Sequence, residues 1–321
     1  MGLYKIFHPE IFQGNLKKKN YFEGWFFKHC SKDLGNVLSV IPGISLNETD
    51  PHAFIQTIEG ISGQTNYIPY PLKTFEWDRR HLKIRVGAST FSPEGIHLDI
   101  VNDAIELKGR LQYLHPITYP GTILSPGIMG WYSFVPFMEC YHGIVSAKHG
   151  LKGSLNHNGK RMVFSGGNGY IEKDWGTSFP DCWLWVQCNN FPFQDASLFF
   201  SVAKIPWLGS YFMGFISFLY LSGKFHSFST YNKSRLAPVR AEGESIRIEL
   251  LNKRYRLHIT VIRSIAGELR APKTGHMSRR IKESNDAVVE VTLSDISGKA
   301  VFHETGHRAG FELSGNILEY T

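Results

Sequence analysis

Hydrophobic and polar residues alternate along much of the chain, in short runs that are separated by turn residues. Apolar residues stand at every second position in 82–86 and again in 96–100, with the turn Ser92-Pro93-Glu94-Gly95 between them. This period of two is typical of half-buried antiparallel strands, and the turn predicts a hairpin. Three further hairpins are predicted, with turns at Asn158-Gly159, Asn252-Lys253 and Ser297-Gly298. The Asn-Gly signal is the strongest, because a two-residue hairpin turn needs positive φ angles.

Almost no segment has a sustained apolar period of 3.6 residues, so long amphipathic helices are not expected. We therefore predict an all-β protein built from antiparallel strands. Closure into barrels removes exposed sheet edges, and 321 residues fit two units of lipocalin size better than one. The expected architecture is two lipocalin-like antiparallel β-barrel or sandwich domains, residues 1–185 and residues 186–321.

Composition places the chain among globular proteins. Hydrophobic residues make up 42% and aromatic residues 14% of the sequence, which excludes a disordered or fibrous protein. The four cysteines include no C-x-x-C pair, and residues 1–20 show no secretory pattern, so a reduced, cytoplasmic protein is expected. The longest apolar region, 198–221, contains Lys204 and Pro206 and does not predict a membrane span. The sequence still allows the protein to bind peripherally to a membrane surface.

The formal net charge of +7 suits an anionic partner, either nucleic acid or a lipid surface. Much of the positive excess lies in residues 253–282. About half of that segment alternates with apolar residues, as on the solvated face of a strand. Because RNA-binding and zinc-finger signatures are missing, we favour a solvated strand face and predict no nucleic-acid partner.

The residues from His303 to His307 spell H-E-x-x-H, the zinc protease pattern in which a helix brings both imidazoles to one face. Here the pattern lies in a strand-like context and contains Gly306, and Glu312 or Glu319 would have to supply a third ligand. We therefore predict no metal site. Patterns for phosphate loops, dinucleotide-binding turns and nucleophile elbows are also missing, so neither a nucleotide enzyme nor a serine hydrolase is expected.

Two segments, 21–28 and 169–191, combine aromatic residues with carboxylates. If each is a strand, alternation places several of these side chains on shared faces. The expected sets are Tyr170, Glu172 and Asp174 in the second segment, and Tyr21, Glu23, Trp25 and Phe27 in the first. Carboxylates beside aromatic rings would then face a common space.

The alternative is that the tryptophans are core residues and that the acids pair with Lys28 or Lys173 at the edge of the core. For any one aromatic residue that alternative is favoured. It is weaker for the acids, because Asp and Glu are rarely placed among large apolar residues unless they are paired or used.

Both segments resemble motifs of the tocopherol cyclase family, which is related to lipocalin-like carotenoid hydratases. The first is similar to the family element F-E-G-W-[YF]-F and is YFEGWFFK in this chain. The second is similar to E-K-N-W-G-x-x-F-P-x-x-W-x-W-V-Q-C-N and is GYIEKDWGTSFPDCWLWVQCNNF. A third match, LRAPKT at 269–274, is similar to L-R-A-P-T. Asp174 departs from the pattern, because the plant enzymes have Asn there.

The resemblance implies a tocopherol-cyclase-like isomerase that protonates a prenyl double bond without a cofactor. The phenol oxygen of a prenylated quinol-like substrate would then capture the carbocation. Glu172 is the expected acid, since an apolar aromatic surround penalises the charged form of a carboxyl group. Asp174 and Glu23 are expected to orient or tune it. His142 is a candidate for handling a second proton, and a structural histidine with satisfied hydrogen bonds is an equally good alternative for it. Electron-rich aromatic faces would bind the substrate and stabilise the cation; the candidates are Tyr170, Trp175, Trp183, Trp185, Trp25 and Phe27.

A non-catalytic carrier of lipids or isoprenoids is the alternative function. A carrier for apolar tails gains nothing from buried carboxylates, so their presence in the aromatic motifs favours the enzyme. Under either hypothesis the expected partner is a hydrophobic, prenylated small molecule.

Overall fold

The computed structural model describes residues 2–193 and 195–321 and is built almost entirely of β-strands. Strands account for 61% of the residues and helices for 6%, which confirms the all-β prediction. Helical structure in these two ranges is confined to α1 and four short 3₁₀ turns, at Leu3–Phe7, Leu72–Thr74, Gly130–Phe134, Thr230–Asn232 and Ile317–Glu319. None of these helices has the length and apolar character needed to cross a membrane.

The chain divides into two compact units. The first contains the described residues up to Glu59 together with Gln64–Phe179 and Glu268–Ile281. The second contains Gly60–Gly63, Pro180–Gly267 and Lys282–Thr321. Residue 185, at which the sequence analysis places the domain boundary, lies inside a strand of the second unit.

In the described part of the chain, the first sheet has twelve strands in the order β4-β3-β2-β1-β12-β10-β9-β8-β7-β6-β5, and β11 pairs with β10. Their bounds are β1 Tyr21–Cys30, β2 Val37–Leu46, β3 His52–Glu59, β4 Thr65–Pro71, β5 Phe75–Trp77, β6 Ile84–Val86, β7 Ser89–Ser92, β8 Gly95–Val101, β9 Glu106–Ile117, β10 Cys140–His157, β11 Lys160–Val163 and β12 Asn168–Gly176. β1, β12 and β10 lie side by side in the middle of this order. β12 is antiparallel to both of its neighbours.

The second sheet has eleven strands among the described residues, in the order β16-β15-β14-β13-β23-β22-β20-β19-β17, with β18 on β19 and β21 on β22. Their bounds are β13 Trp183–Cys188, β14 Ala196–Trp207, β15 Ser210–Leu221, β16 Lys224–Ser229, β17 Arg235–Leu236, β18 Arg240–Glu242, β19 Ser245–Leu251, β20 Tyr255–Ile262, β21 Gly267–Lys273, β22 His276–Asp295 and β23 Ala300–Ser314. A nearly closed barrel and a second sheet agree with the predicted lipocalin-like architecture.

All four predicted turns join antiparallel strands, but in the first hairpin the strand before the turn is β7 and not residues 82–86, because 84–86 forms the separate strand β6 that pairs with β7. The turn at 92–95 joins β7 to β8, and Asn158-Gly159 joins β10 to β11. The turns at 252–253 and 297–298 join β19 to β20 and β22 to β23. Asn158 and Gly159 have φ angles of 51° and 80°, which is the left-handed conformation that the Asn-Gly signal predicts.

Each unit has its own apolar core, as the period of two requires. In the second unit, alternate residues of β19 and β20 are buried; they are Ile246, Ile248, Leu250, Leu257, Ile259 and Val261. In the first unit, the core includes aromatic residues of β1 and β12; they are Tyr21, Trp25, Phe27 and Trp175. The candidate site is therefore built into the middle of the first sheet.

Candidate functional site

The two segments that combine aromatic residues with acids include neighbouring strands. Antiparallel register places Glu23 of β1 opposite Trp175 of β12. On the other side of β12, His142 of β10 stands opposite Asp174. Because residues directly opposite each other share a face of the sheet, this register decides which side chains meet.

Four polar side chains lie together on one face of the paired strands β12 and β10, and we term them the carboxylate cluster: Tyr170, Glu172 and Asp174 of β12 and His142 of β10. The Tyr170 hydroxyl donates to Glu172 Oε2 at 2.5 Å. Nδ1 of His142 lies 2.8 Å from Asp174 Oδ1, and Nε2 lies 3.6 Å from Glu172 Oε2. The imidazole thus stands between two carboxyl groups, one of which is held by a phenol.

The carboxylate cluster becomes gradually more exposed from one end to the other. Tyr170 is fully buried, while the side chains of Glu172, His142 and Asp174 are 7%, 14% and 25% exposed. Burial lowers the pKa of His142, but the adjacent carboxyl groups of Asp174 and Glu172 outweigh that effect, so the pKa is raised overall. Burial and Glu172 raise the pKa of Tyr170 well above its ordinary value, so this phenol remains a hydrogen-bond donor.

Cys140 extends the carboxylate cluster by one residue that the sequence analysis did not single out. Its Sγ lies 3.8 Å from Asp174 Oδ1. Burial, followed by the charges of Asp174 and Glu139, raises the pKa of this thiol well above its usual value. Cys140 therefore stays protonated and acts as a weak donor toward Asp174.

The other face of β12 carries Lys173, which forms an ion pair with Glu23 of β1. The Nζ of Lys173 lies 2.5 Å from Glu23 Oε1, and both side chains are 0% exposed. Burial lowers the pKa of Lys173 to about 8, although the charge of Glu23 opposes that effect. The pairing of an acid with Lys173 was one of the sequence-based alternatives, but the pair lies in the interior rather than at an edge of the core.

Backbone groups of residues 9–14, which we term the strap, complete the surroundings of this ion pair. Lys173 Nζ donates to the carbonyl oxygens of Pro9 and Ile11. The carboxylate of Glu23 accepts the backbone N–H groups of Gln13 and Gly14 at 2.8 and 3.0 Å. The hydroxyl of Tyr21 and the indole N–H of Trp25 add two more bonds, to Glu23 and to the carbonyl of Glu10. The buried charges are thus satisfied mainly by peptide groups.

The expectation that Glu23 and Glu172 face one common space differs from the structure. Glu23 pairs with Lys173, and strand alternation puts Lys173 and Glu172 on opposite faces of β12. Glu23 is therefore separated from the carboxylate cluster by the sheet and is not placed to orient Glu172 directly.

Three of the predicted aromatic residues also lie on the face of Glu23. The rings of Trp25 and Trp175 have Lys173 Nζ above them, at 4.8 and 4.7 Å from the ring centroids. The ring of Phe27 packs in the core at 5.5 Å from the ring of Phe91. Of the aromatic candidates on β1 and β12, only Tyr170 lies on the face of the carboxylate cluster, because alternation distributes the others to the opposite face.

Trp183 and Trp185 belong to β13 in the second unit, where they adjoin an acid that the sequence analysis considered only as a metal ligand. The indole N–H of Trp183 donates to Glu312 Oε2 at 2.6 Å, and Trp185 stands opposite Glu312 in the register. A Cβ at Gly310 would lie 2.5 Å from the Trp185 ring, so this glycine makes room for the indole. Glu283 stands opposite Glu312 on β22 and was not predicted.

A cavity of about 340 Å³ lies within the first unit. Its wall includes His142, Ile144 and Trp175, together with residues of α1, the strap and the segment 118–133. Most of these side chains are apolar, and His142 is shared with the carboxylate cluster. The cavity therefore connects an apolar space to a titratable group.

Some cations of the basic segment 253–282 are neutralised by acids of neighbouring strands. Arg256 lies 3.3 Å from Glu249, and Arg280 lies 3.1 Å from Glu268. These side chains are about half exposed, as expected for a solvated strand face.

The H-E-x-x-H pattern lies in β23. In an extended strand, residues four apart are separated by roughly 13 Å, so His303 and His307 cannot share one tetrahedral ion. The described residues contain no group of three or more His, Cys, Asp or Glu side chains placed to hold a metal. None of the four cysteines, all of which lie in the described ranges, forms a disulfide bond in this structure.

Residues 108–315 match the family model described as tocopherol cyclase-like. The chain belongs to this family. The resemblance found in the sequence motifs is thereby confirmed. The chloroplastic tocopherol cyclase of Zea mays is 40% identical over 63 residues, which are 20% of this chain and 13% of that protein. A probable tocopherol cyclase of Oryza sativa subsp. japonica is 32% identical over 103 residues, 31% of this chain and 22% of that protein. The matched region is thus a small part of either plant protein.

Solved structures resemble more than nine-tenths of the chain in fold. CghA has a TM-score of 0.61 at 14% identity and covers 92% of this chain and 88% of its own. A putative AttH from Nitrosomonas europaea has a TM-score of 0.54 at 13% identity and covers 94% and 93%. Kievitone hydratase from Nectria haematococca has a TM-score of 0.50 at 10% identity and covers 93% and 90%. At these identities the likeness shows a shared fold alone.

Proposed function

We propose that the protein is a tocopherol-cyclase-like enzyme that closes a ring on a prenylated, quinol-like substrate without a cofactor. Membership of the family supports an enzyme of this type. The observation that carries the proposal is the position of His142, which belongs both to the carboxylate cluster and to the wall of the cavity. A proton-handling group and an apolar binding space therefore meet at one residue.

Glu172 is the proposed acid. Its Oε2 accepts the hydroxyl of Tyr170, so the transferable proton would be carried by Oε1. Donation of this proton to one alkene carbon breaks the O–H bond, forms a C–H bond and leaves a tertiary carbocation on the other carbon. The Tyr170 hydrogen bond stabilises the carboxylate that results, because hydrogen bonds to a charged acceptor are stronger than those to a neutral one.

His142 is the proposed acceptor of the second proton. The phenol oxygen of the substrate attacks the carbocation, forms the C–O bond of the new ring and releases its proton to Nε2 of His142. That nitrogen lies 3.6 Å from Glu172 Oε2, so a small movement returns the proton to the carboxylate. Rotation of the carboxyl group then exchanges its two oxygens, so that the proton again lies on the oxygen that does not accept from Tyr170. The cycle consumes one proton and releases one, which is the balance that an isomerisation requires.

Asp174 is proposed to hold the imidazole in place. Its Oδ1 lies 2.8 Å from Nδ1 of His142, which fixes the ring orientation and leaves Nε2 toward Glu172. When Glu172 carries a proton it no longer raises the pKa of His142 by its charge. Glu172 and His142 would then behave as a coupled pair that holds one proton between them.

The proposed substrate is amphipathic, and its apolar part would occupy the cavity beside His142. The cavity wall includes Trp175, so this residue remains a candidate for ligand contact although it lies on the face of Lys173. Trp183 and Trp185 stay candidates from the second unit. A nucleic-acid partner is not proposed, since exposed cations such as Arg256 and Arg280 pair with acids of the same chain.

A carrier of isoprenoids is the second candidate function, and the largely apolar lining of the cavity favours it. A carrier and an enzyme would bind the same ligands. An enzyme would lose turnover when the transferable proton of Glu172 is removed. A carrier would keep its function, because binding of an apolar tail does not depend on that proton.

The test is the pair of variants Glu172→Gln and Asp174→Asn, assayed with a set of prenylated quinols. Glu172→Gln keeps size and hydrogen bonding but removes the proton, so we expect turnover to fall ~100- to 10,000-fold while ligand binding persists. Asp174→Asn restores the residue of the plant motif and should be tolerated far better. Glu94→Gln, at an exposed turn, is the matched control and should leave turnover unchanged.

The two variants also separate the alternatives. Loss of turnover in Asp174→Asn with normal turnover in Glu172→Gln would reverse the roles of the two acids. Unchanged binding with no turnover of any prenylated quinol by the wild type would favour the carrier.

A further inference from the structure

A segment without any charged residue lies next to the cavity. From Pro116 to Met138 the sequence contains no Asp, Glu, Lys, Arg or His. Most of this segment, which we term the apolar loop (residues 116–138), lies outside strands and helices, and Gly130–Phe134 forms a 3₁₀ turn. Surface loops of globular proteins are normally rich in polar and charged side chains, so a loop of this composition needs an explanation.

The apolar loop exposes large hydrophobic side chains. The exposed fraction is 98% for Phe137, 80% for Ile123 and 81% for Leu124. Trp131 and Phe134 are each more than a third exposed. Single exposed apolar residues are common, but five within one uncharged segment mark an interaction surface.

Helix α1 adds to the same surface. The ring of Phe7 meets the ring of Phe134 edge to face, with centroids 6.1 Å apart. Leu3, one turn earlier in α1, is 72% exposed. Phe7 and several residues of the apolar loop also line the cavity, so the exposed surface adjoins the cavity.

We propose that the apolar loop and α1 dock on the surface of a phospholipid bilayer, so that a prenylated ligand passes from the bilayer into the cavity. The identity of that ligand rests on the proposed function, whereas the docking itself does not. Leu124 and Phe137 would insert among the acyl chains, and Trp131 would lie at the level of the headgroups.

The composition of the loop fits a bilayer better than a protein partner. Trp131 and Tyr132 stack with ring centroids 4.1 Å apart, and tryptophan and tyrosine are enriched at membrane interfaces because they have an apolar body and a polar tip. An interface with another protein would normally include charged or hydrogen-bonding side chains at its periphery. The apolar loop supplies no charged side chain for that purpose.

Exposed cations lie beside α1. The hydroxyl of Tyr4 donates to the backbone carbonyl of Arg80 at 2.9 Å, which places the turn containing Arg79 and Arg80 next to the helix. Both arginines are exposed. Cations next to an apolar surface complement anionic headgroups, so the preferred bilayer is one that contains anionic lipid.

Co-flotation with lipid vesicles tests the proposal, in the absence of any prenylated ligand. One probe is vesicles of phosphatidylcholine alone. The other is vesicles that also contain about 30% phosphatidylglycerol, which gives their surface a negative potential. We expect the wild type to float with both and to prefer the anionic vesicles. The double variant Leu124→Ser/Phe137→Ser should lower the partition coefficient by ~100-fold, about ten-fold for each side chain withdrawn from the bilayer.

A matched control exists in the second unit. Leu208 and Ile296 are 93% and 72% exposed, so Leu208→Ser/Ile296→Ser removes a similar exposed apolar area elsewhere. This variant should float like the wild type. Arg79→Gln/Arg80→Gln should weaken binding several-fold to anionic vesicles and leave binding to phosphatidylcholine unchanged.

Three results would overturn the proposal. The first is absence of flotation of the wild type, and the second is an equal fall in the partition coefficients of the control and loop variants. The third is a concentration-dependent dimer, detected by sedimentation, that Leu124→Ser/Phe137→Ser abolishes. The last result would make the surface an interface between two copies of the chain. Turnover of detergent-dispersed substrate by a wild type that does not float would refute docking alone, and flotation without turnover would refute the enzyme alone.

Discussion

Lys173 and Glu23 form an ion pair at 2.5 Å in which neither side chain is exposed to solvent. Such a pair contributes little net stability, because the loss of hydration offsets the attraction between the charges. Removal of one partner is a different matter, since it leaves the other charge buried without its counterion.

We therefore expect Lys173→Met to lower the free energy of unfolding by roughly 3–5 kcal/mol. The double variant Glu23→Gln/Lys173→Met should lose much less than the sum of the two single variants, because no buried charge remains. The coupling is measured by urea unfolding of four proteins: the wild type, Glu23→Gln, Lys173→Met and the double variant. Lys152→Met, at an exposed position of β10, is the control. Simple additivity of the two single effects would contradict the pairing.

Asp174→Asn should lower the pKa of His142. The negative charge of Asp174 and its hydrogen bond both stabilise the imidazolium in the wild type. A histidine with a raised pKa in the folded state adds stability that is fully present below its unfolded pKa of about 6.5 and is lost as the pH rises through the folded pKa. NMR titration of the imidazole signals measures the change, with Asp99→Asn as the control. An unchanged His142 titration would show that Asp174 does not hold the ring.

Acid should destabilise the first unit through His29. Burial lowers the pKa of His29 to about 4, and its ring nitrogens contact Leu38 O and the hydroxyl of Tyr113. The unfolded chain binds a proton near pH 6.5, so stability falls as the pH drops from about 6.5 to 4, by about 3 kcal/mol for this group. Denaturant midpoints at pH 7 and pH 4.5 measure the loss. His29→Gln should show a shallower dependence on pH, and an identical slope would assign the acid sensitivity to other groups.

Zinc should have no role at the H-E-x-x-H pattern. His303 is exposed on β23, where Nδ1 lies 2.8 Å from the Thr292 hydroxyl. We expect His303→Ala to change neither turnover nor thermal stability by a measurable amount, and elemental analysis to find no stoichiometric zinc. One zinc per chain that disappears in His303→Ala would contradict this expectation.

Strand alternation made part of the site predictable from the sequence. The shared face of Tyr170, Glu172 and Asp174 depends only on residues two apart in one strand. The hairpin turn at Asn158-Gly159 was likewise predictable, because its backbone conformation is a local property.

The partners of these residues were not predictable in the same way. The pairing of Glu23 with Lys173 depends on the register between β1 and β12, whose residues are far apart in sequence. His142 was considered on residue type alone, and only the pairing of β10 with β12 places it between two acids. The strap was missed altogether, since its contacts come from backbone groups that leave no trace in residue types.

The backbone character of these contacts has an evolutionary consequence. Every residue has a backbone carbonyl oxygen, which is the group that accepts at Pro9, Glu10 and Ile11. Every residue except proline has the backbone N–H group that donates at Gln13 and Gly14. Substitutions can accumulate at positions 9 and 10, which are partly exposed, while these contacts survive. An insertion or deletion would shift every one of the contacts. Homologues that keep the Glu23 and Lys173 pair should therefore vary at positions 9 and 10 but keep Gly14, where a Cβ would lie 2.5 Å from the Tyr21 ring, and keep the spacing between this segment and Glu23.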